Sequence, residues 1–139
     1  MTDAIDTGEI LEALNEKVDR DCENVDTTSG ADVVVEWQAP DASNDYKWYR
    51  KYKSGWIEQG GIQYATNSVT AYTITFLKAM ADSNYTVTIG CGDNTANANV
   101  YLFQFDRTTD GFKLYSNITS GGVNVGHCWR VEGMSAVSV

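Results

Sequence analysis

His127 is the only histidine in the chain, and Cys128 follows it directly. A serine or cysteine nucleophile activated by an imidazole base would have to use this histidine. The two residues lie in a stretch that we predict to be a strand, where neighbouring side chains point to opposite faces, so they cannot pair with each other. One histidine cannot supply a cluster of imidazole ligands, although a three-fold assembly could bring three copies of His127 to one axis. The sequence therefore predicts no nucleophile–histidine pair, and we expect no metal and no cofactor.

The three cysteines also argue against a metal centre. The number of cysteines is odd, and no two of them have the Cys-x-x-Cys spacing. They are Cys22, Cys91 and Cys128. This pattern favours neither a disulfide framework nor a zinc site. We interpret the cysteines as reduced thiols.

Paired carboxylates could support catalysis without a histidine or a metal. The acids near the ends of predicted strands are Asp82, Asp93, Asp106, Asp110 and Glu132. Acidic side chains at such positions usually stabilise turns. The chain also lacks Gly-x-Ser-x-Gly, His-Glu-x-x-His and P-loop sequences. We therefore predict that the protein is not an enzyme.

The aromatic residues indicate a binding function more strongly than the polar ones. The chain has eight tyrosines and four tryptophans, and both types combine a large rigid surface with a polar tip that suits binding surfaces and sugar stacking. We expect most of the tryptophans, which are Trp37, Trp48, Trp56 and Trp129, to belong to the core. Tyr101 and Tyr115 lie beside a predicted hairpin and glycine-rich loops, so we expect them at the surface.

Composition and charge exclude several classes of function. The chain has 139 residues, which suits one domain, and a formal net charge of -9. This charge disfavours a partner that is nucleic acid. Lys47, Arg50, Lys51 and Lys53 form a basic cluster, which we interpret as the solvated side of a strand rather than an anion site. The longest apolar run is too short to insert into a membrane, and the acidic start does not resemble a secretory signal, so we expect assembly in a cytoplasm.

Alternating apolar and polar residues predict strands along most of the chain after Gly30. The Asp110-Gly111 pair predicts a tight hairpin, and Gly60-Gly61 predicts a bulge or a close backbone approach. The predicted fold is all-β, an antiparallel sandwich or barrel-like head of about eight strands over residues 31–139. The predicted strands are 33–37, 46–52, 56–64, 69–76, 85–89, 100–105, 112–116 and 127–133.

The segment 77–84 connects two of these strands. We expect Met80 and Ala81 to pack inward, and the polar residues 82–84 to bond their own backbone and turn the chain into Tyr85. We interpret this segment as architecture and not as a catalytic loop.

A short helix over residues 7–21 is predicted to precede the head. Leu11, Leu14 and Val18 form one narrow apolar seam. A helix of this length is marginal by itself, so the seam must pack on the head or on copies of itself. Self-association as a short coiled-coil stalk fits the narrow seam better, and residues 1–30 then form a stalk and linker.

Three pieces of the sequence carry a resemblance to the C-terminal domains of tailed-bacteriophage tail fibre proteins. They are WYRKYKSGWIEQGG (48–61), TITFLKAMADSNYTVTI (73–89) and CWRVEGMSA (128–136). The segment ALNEKVDRD (13–21) is similar to the helix that often precedes such domains. Leu77 departs from the pattern, since related domains often have proline there.

This resemblance implies the receptor-binding tip of a tail fibre. Such a tip is a homotrimer, joined to the rest of the phage tail, built in the bacterial cytoplasm and carried on the virion. Its partner is a host cell-surface glycan or an envelope protein. We place trimerisation at the Leu11, Leu14 and Val18 seam and receptor contact in displayed loops. The receptor-binding candidates are Asp93, Asn94, Asn97, Asn99, Tyr101 and Tyr115.

Two alternatives remain open from the sequence. One is a depolymerase or esterase head that degrades surface polysaccharide, which requires close acids in a groove. The other is a free-standing carbohydrate-binding module, which would be monomeric.

Overall fold

A computed structural model describes residues 32–65, 69–92, 99–118 and 125–137. Every predicted strand is present there, with its ends shifted by at most three residues. The predicted helix 7–21, with Leu11, Leu14 and Val18, lies outside the described residues. The strands are β1 (Val34–Gln38), β2 (Trp48–Tyr52), β3 (Trp56–Ala65), β4 (Val69–Thr75), β5 (Thr86–Cys91), β6 (Val100–Thr108), β7 (Gly111–Ile118) and β8 (Val125–Met134).

The strands form two antiparallel sheets, which confirms the all-β prediction and decides for a sandwich. One sheet has five strands in the order β1-β2-β3-β8-β5, and the other has three in the order β4-β7-β6. The last strand, β8, is therefore central and pairs with β3 along ten residues. No helix in the described ranges has the length and apolar character that crossing a membrane requires.

The core lies between the two sheets because the inward faces of both are apolar. Ile57, Trp129 and Val131 from the five-stranded sheet pack in one cluster with Phe112 and Leu114 from the other sheet. Aromatic contacts cross this layer, and the rings of Phe112 and Trp129 meet edge to face with centroids 6.0 Å apart.

The expectation that most tryptophans belong to the core is wrong. All four lie in the described ranges, and only Trp129 is buried, whereas Trp37 is 67% exposed and Trp56 is 39% exposed. Trp48 is half-buried. The alternation of β2 is as predicted, but it is Tyr49 that points into the core and Trp48 that points out. Trp37, Trp48 and Trp56 thus belong to the outer face of the five-stranded sheet.

The segment 76–85 connects the two sheets, and a buried glutamine of β3 holds its first part. The Gln59 side chain is fully buried. Its Oε1 accepts hydrogen bonds from the backbone N–H groups of Leu77 and Lys78, at 3.1 and 3.2 Å. Its Nε2 donates to the backbone oxygen of Lys78 at 2.7 Å. The glutamine amide therefore satisfies three backbone groups of a segment that has no neighbouring strand at that point.

The rest of this segment is bonded to the β6–β7 hairpin. The backbone N–H groups of Phe76 and Met80 each donate at 2.8 Å, to Asp110 and Thr109 oxygens respectively. The Tyr85 hydroxyl donates to the backbone oxygen of Gly111 at 2.7 Å. One end of the three-stranded sheet is thereby fixed to the connecting segment.

The predictions for residues 80–84, a turn at 82–84 and inward packing of the two residues before it, are confirmed in part. The backbone N–H of Asn84 donates to Asp82 Oδ1 at 2.7 Å. Met80 is buried as predicted, but Ala81 is exposed. The backbone N–H of Ala81 instead donates to the Met134 oxygen at 2.9 Å, which holds this residue at the end of β8.

The glycines of β3 and β7 permit close backbone approaches. The predicted hairpin is present, but its loop residues are Thr109 and Asp110, because Gly111 already pairs with Thr108. A Cβ at Gly111 would lie 1.9 Å from the Ile74 oxygen of the neighbouring strand. At Gly60 a Cβ would lie 2.6 Å from the Trp129 oxygen. The β3 pairing is continuous through Gly60 and Gly61, so the close approach is the correct one of the two predicted alternatives.

His127 is fully buried between the sheets, which excludes an axial site shared by three copies. Its Nε2 lies 2.8 Å from Ser116 Oγ on the opposite sheet, and its Nδ1 has no hydrogen-bond partner in the described part of the chain. Burial lowers the pKa of His127 from its ordinary value of 6.5, because the charged imidazolium loses its hydration. Cys128 points outward, which agrees with the prediction that His127 and Cys128 face opposite sides of the strand.

Replacing Gln59 by leucine tests the anchor of the connecting segment. Gln59→Leu keeps the approximate volume but leaves two half-buried N–H groups and one oxygen without their side-chain partner. We expect the free energy of unfolding to fall by about 2–4 kcal/mol. Urea unfolding measures this loss, with Gln63→Leu as the matched control, because that amide bonds an exposed oxygen. A Gln59→Leu protein as stable as the control would contradict this role.

His127 predicts a specific loss of stability in weak acid. The unfolded chain takes up a proton near pH 6.5, whereas the folded chain resists protonation because the folded pKa of His127 is lower. The contribution of neutral His127 to the free energy of unfolding is therefore fully present above pH 6.5. It is lost as the pH falls below 6.5, by at most about 1.4 kcal/mol per pH unit. Urea unfolding between pH 7.5 and 5.5 measures the slope. His127→Gln should flatten it, while Ser116→Ala should retain it. An unchanged slope in His127→Gln would assign the effect to other groups.

Candidate binding surfaces

The outer face of the three-stranded sheet carries a group of aromatic side chains that we call the aromatic ladder: Tyr101, Phe103, Phe105 and Tyr115. Alternation along β6 places the first three on the same face, and the register pairs Phe103 with Tyr115 of β7. The Phe103 and Tyr115 rings stack with centroids 4.5 Å apart and planes 22° apart. Tyr101 is 64% exposed and Phe103 is 50% exposed. The sheet thus displays aromatic surface to solvent in a fixed arrangement.

One end of the aromatic ladder carries charge. Lys113 Nζ lies 5.8 Å from the centroid of the Phe105 ring and 3.1 Å from Asp106 Oδ2. Asp106 has a positive φ of 49°, and the β6–β7 register shifts between Phe105 and Thr108. This bulge turns Asp106 toward Lys113, and the ion pair closes that end of the aromatic surface.

The predicted receptor-binding residues are only partly within the described ranges. Tyr101 and Tyr115 lie on the same face of neighbouring strands, and Asn99 is exposed directly before β6. The other candidates, Asp93, Asn94 and Asn97, lie outside the described residues. The prediction omitted Phe103 and Phe105 from the site, although the alternation of β6 already placed them beside Tyr101.

A second exposed surface lies on the outer face of the five-stranded sheet. The register aligns a row across the strands, with Trp37 opposite Arg50, Arg50 opposite Glu58 and Glu58 opposite Glu132. In the next row Trp48 is opposite Gly60, and Gly60 is opposite Arg130. These rows border a cleft of about 420 Å³ that we call the tryptophan cleft. It is lined by Trp37, Gln38, Ala39, Pro40, Trp48, Arg50, Glu58 and Arg130.

The charges of the tryptophan cleft are unevenly paired. Arg130 Nη2 lies 3.0 Å from Glu58 Oε1 and 3.7 Å from Glu132 Oε2. The Tyr52 hydroxyl also donates to Glu58, at 3.4 Å. Arg50, which is exposed, forms no ion pair with any described residue. One guanidinium is therefore available to a ligand, while the other is held by two carboxylates.

The basic cluster expected from the sequence is divided between surfaces. Arg50 lines the tryptophan cleft, whereas its neighbour Lys51 lies on the other side of the sheet near Glu36 and Lys78. Glu36 forms an ion pair with Lys78 and accepts a hydrogen bond from Tyr49 at 2.8 Å. The contact with Lys78, and to a smaller extent the hydrogen bond from Tyr49, holds the pKa of Glu36 below its ordinary value. The cluster therefore does not form one anion site.

Three of the five acids considered for catalysis form structural contacts. Asp82 caps its own turn, Asp106 pairs with Lys113, and Glu132 lies beside Arg130. Asp110 is exposed in the hairpin loop, and Asp93 lies outside the described ranges. Within those ranges, no three His, Cys, Asp or Glu side chains are grouped as a metal site would require.

Comparison with known proteins identifies the fold. No protein-family model and no curated protein sequence matches the chain. The chain is similar to the solved structure of an N-truncated R1-type pyocin tail fibre, with a TM-score of 0.52 and 17% identity over 95% of this chain and 99% of that one. It is also similar to a P. aeruginosa R1 pyocin fibre comprising C-terminal residues 323–701, with a TM-score of 0.52 and 19% identity. That match covers 96% of this chain and 38% of the fibre. The resemblance to tail fibre C-terminal domains is confirmed at the level of the fold.

Proposed function

We propose that this protein is the receptor-binding tip of a phage or phage-like tail fibre, and that it binds a host cell-surface glycan or envelope protein. The observation that carries the proposal is the aromatic ladder, which exposes Tyr101 and Phe103 on a rigid sheet. The structures of similar fold are pyocin tail fibres, which supports a place on a tail. The protein would then be a virion component, assembled in the cytoplasm of the bacterial host.

The aromatic ladder suits a recognition surface for two physical reasons. The rings of Phe103 and Tyr115 are already stacked, so ordering these two side chains on binding costs little additional entropy. The exposed rings offer apolar area, while the hydroxyl groups of Tyr101 and Tyr115 can form hydrogen bonds with a polar partner. Asn99 directly precedes β6, and we include Asp93, Asn94 and Asn97, which stand a few residues earlier in the sequence, among the candidate contacts.

Assembly as a homotrimer is part of the proposal. The apolar seam of Leu11, Leu14 and Val18 supports a short coiled coil, which would join three heads and connect them to the rest of the tail. A trimer would present three aromatic ladders to one cell surface, and multivalency of this kind raises the overall affinity of weak individual contacts.

Binding without catalysis fits the available side chains better than the hydrolase alternative. Glu58 and Glu132 are opposite each other in the register, as a catalytic pair would need to be. Arg130 forms ion pairs with both, so the two carboxylates are already engaged by a guanidinium. A reducing-sugar assay on surface polysaccharide separates the two functions, since steady product release would favour the enzyme.

Adsorption to cells tests the receptor-binding role of the aromatic ladder. Labelled wild-type protein is incubated with a panel of bacterial strains that includes P. aeruginosa, and bound protein is measured by flow cytometry. Tyr101→Ser, alone or with residues 93–99 replaced by glycine and serine, should lower the affinity by about tenfold or more. The matched control is Tyr64→Ser, because Tyr64 is an exposed tyrosine of the other sheet. Undiminished adsorption of the Tyr101 variants, or no adsorption of the wild type to any strain, would count against the proposal.

The mass in solution tests the trimer separately. Light scattering coupled to size-exclusion chromatography should give three times the chain mass for the wild type. Leu14→Asp places a charge in the seam and should yield monomers, while Asn15→Asp, which adds the same charge one residue away, should remain trimeric. A monomeric wild-type protein would favour the carbohydrate-binding module instead.

A further inference from the structure

We propose that the tryptophan cleft is a separate site that binds an anionic pyranose, that is, a six-membered sugar ring carrying a carboxylate or a phosphate. This site lies on the sheet opposite to the aromatic ladder, and it does not depend on the function proposed above. Three features of the cleft support such a ligand: its shape, the exposure of Trp37 and the guanidinium of Arg50, which is outside every described ion pair.

The shape of the cleft fits a small ligand. Its volume of about 420 Å³ falls within the range of small-molecule sites. Trp37 is 67% exposed, the largest exposed fraction among the tryptophans, so its indole face is available for stacking. Indole combines a flat apolar face with one N–H donor, a combination that matches the apolar C–H face and the hydroxyl rim of a pyranose.

Gly60 leaves room for the Trp48 ring that lines the cleft. A Cβ at this position would lie 2.9 Å from Nε1 and 3.0 Å from Cε2 of Trp48. The absence of a side chain therefore lets the Trp48 ring lie across β3, where it forms part of the wall beside Pro40. Two tryptophans thus border the cleft, one exposed and one half-buried.

The charge of the cleft selects an anionic sugar over a neutral one. Arg50 pairs in register with Trp37, and both residues line the cleft. A planar guanidinium binds carboxylate or phosphate through two parallel hydrogen bonds. Arg130 already faces two carboxylates, so Arg50 supplies the unmatched positive charge. Glu58 can additionally accept a hydrogen bond from a sugar hydroxyl.

The net charge of -9 limits the ligand further. A polyanion such as nucleic acid would be repelled by the rest of the surface. A single anionic sugar unit avoids most of that repulsion because it places its one charge against Arg50. The site therefore fits a charged residue within a glycan or at its end.

Binding of three small sugars to the full chain tests this inference. The probes are methyl β-D-glucuronide, glucose 6-phosphate and neutral methyl β-D-glucopyranoside. They are titrated by NMR while the indole N–H signals of Trp37 and Trp48 are followed. At least one charged probe should shift these signals saturably, with an affinity tenfold or more above that of the neutral probe. The comparison between glucuronide and phosphate identifies which anion is preferred.

Variants assign the binding to the cleft. Trp37→Ala should weaken binding of the charged probe at least tenfold, and Arg50→Gln should remove the preference over the neutral probe. The matched controls are Trp56→Ala, another exposed tryptophan, and Lys51→Gln, which removes one charge from the other side of the sheet. Both controls should bind like the wild type. Absence of saturable binding, equal affinity for neutral and charged probes, or unchanged binding by Trp37→Ala would overturn the proposal. These free sugars require no cell receptor, so the outcome is independent of the adsorption experiment.

Discussion

The arrangement of the two sheets depends on the connecting segment 76–85 and on the buried amide of Gln59. The three-stranded sheet is small, and its core face must be positioned against the larger sheet by more than apolar contact, which has little directionality. Gln59 supplies the direction, because its amide bonds three backbone groups of the crossing segment. Tyr85 and the backbone of Met80 continue this network to the β6–β7 hairpin. A network of this kind is stabilising only when every member has its partner, so it also specifies one packing of the sheets.

This construction leaves both outer faces available for recognition. The inner faces supply the core, so the outer side chains are not constrained by packing between the sheets. On the smaller sheet they form the aromatic ladder, and on the larger sheet they form the tryptophan cleft. The two surfaces differ in chemistry, since one is mainly aromatic and the other combines indole with guanidinium and carboxylate groups. One head therefore carries two exposed surfaces of different chemistry.

His127, the one histidine of the sequence, serves the fold. It is buried against Ser116, and burial lowers its pKa. The acids of the described ranges that were considered for catalysis stabilise turns, form ion pairs or are exposed in a loop. This use of polar residues is consistent with a domain whose role is to bind.

The sequence by itself determined the class of fold, all eight strands, the β6–β7 hairpin and the Asp82 turn, because alternation and turn chemistry are local properties. It also placed Tyr101 on one face with Phe103 and Phe105. Only the tertiary structure decided which face of each strand is buried, since a period of two looks the same from either side. For this reason Trp37 was expected inside and lies outside. The tryptophan cleft was likewise invisible in the sequence, because its residues come from β1, β2, β3 and the distant β8, and only long-range strand pairing brings them into neighbouring rows.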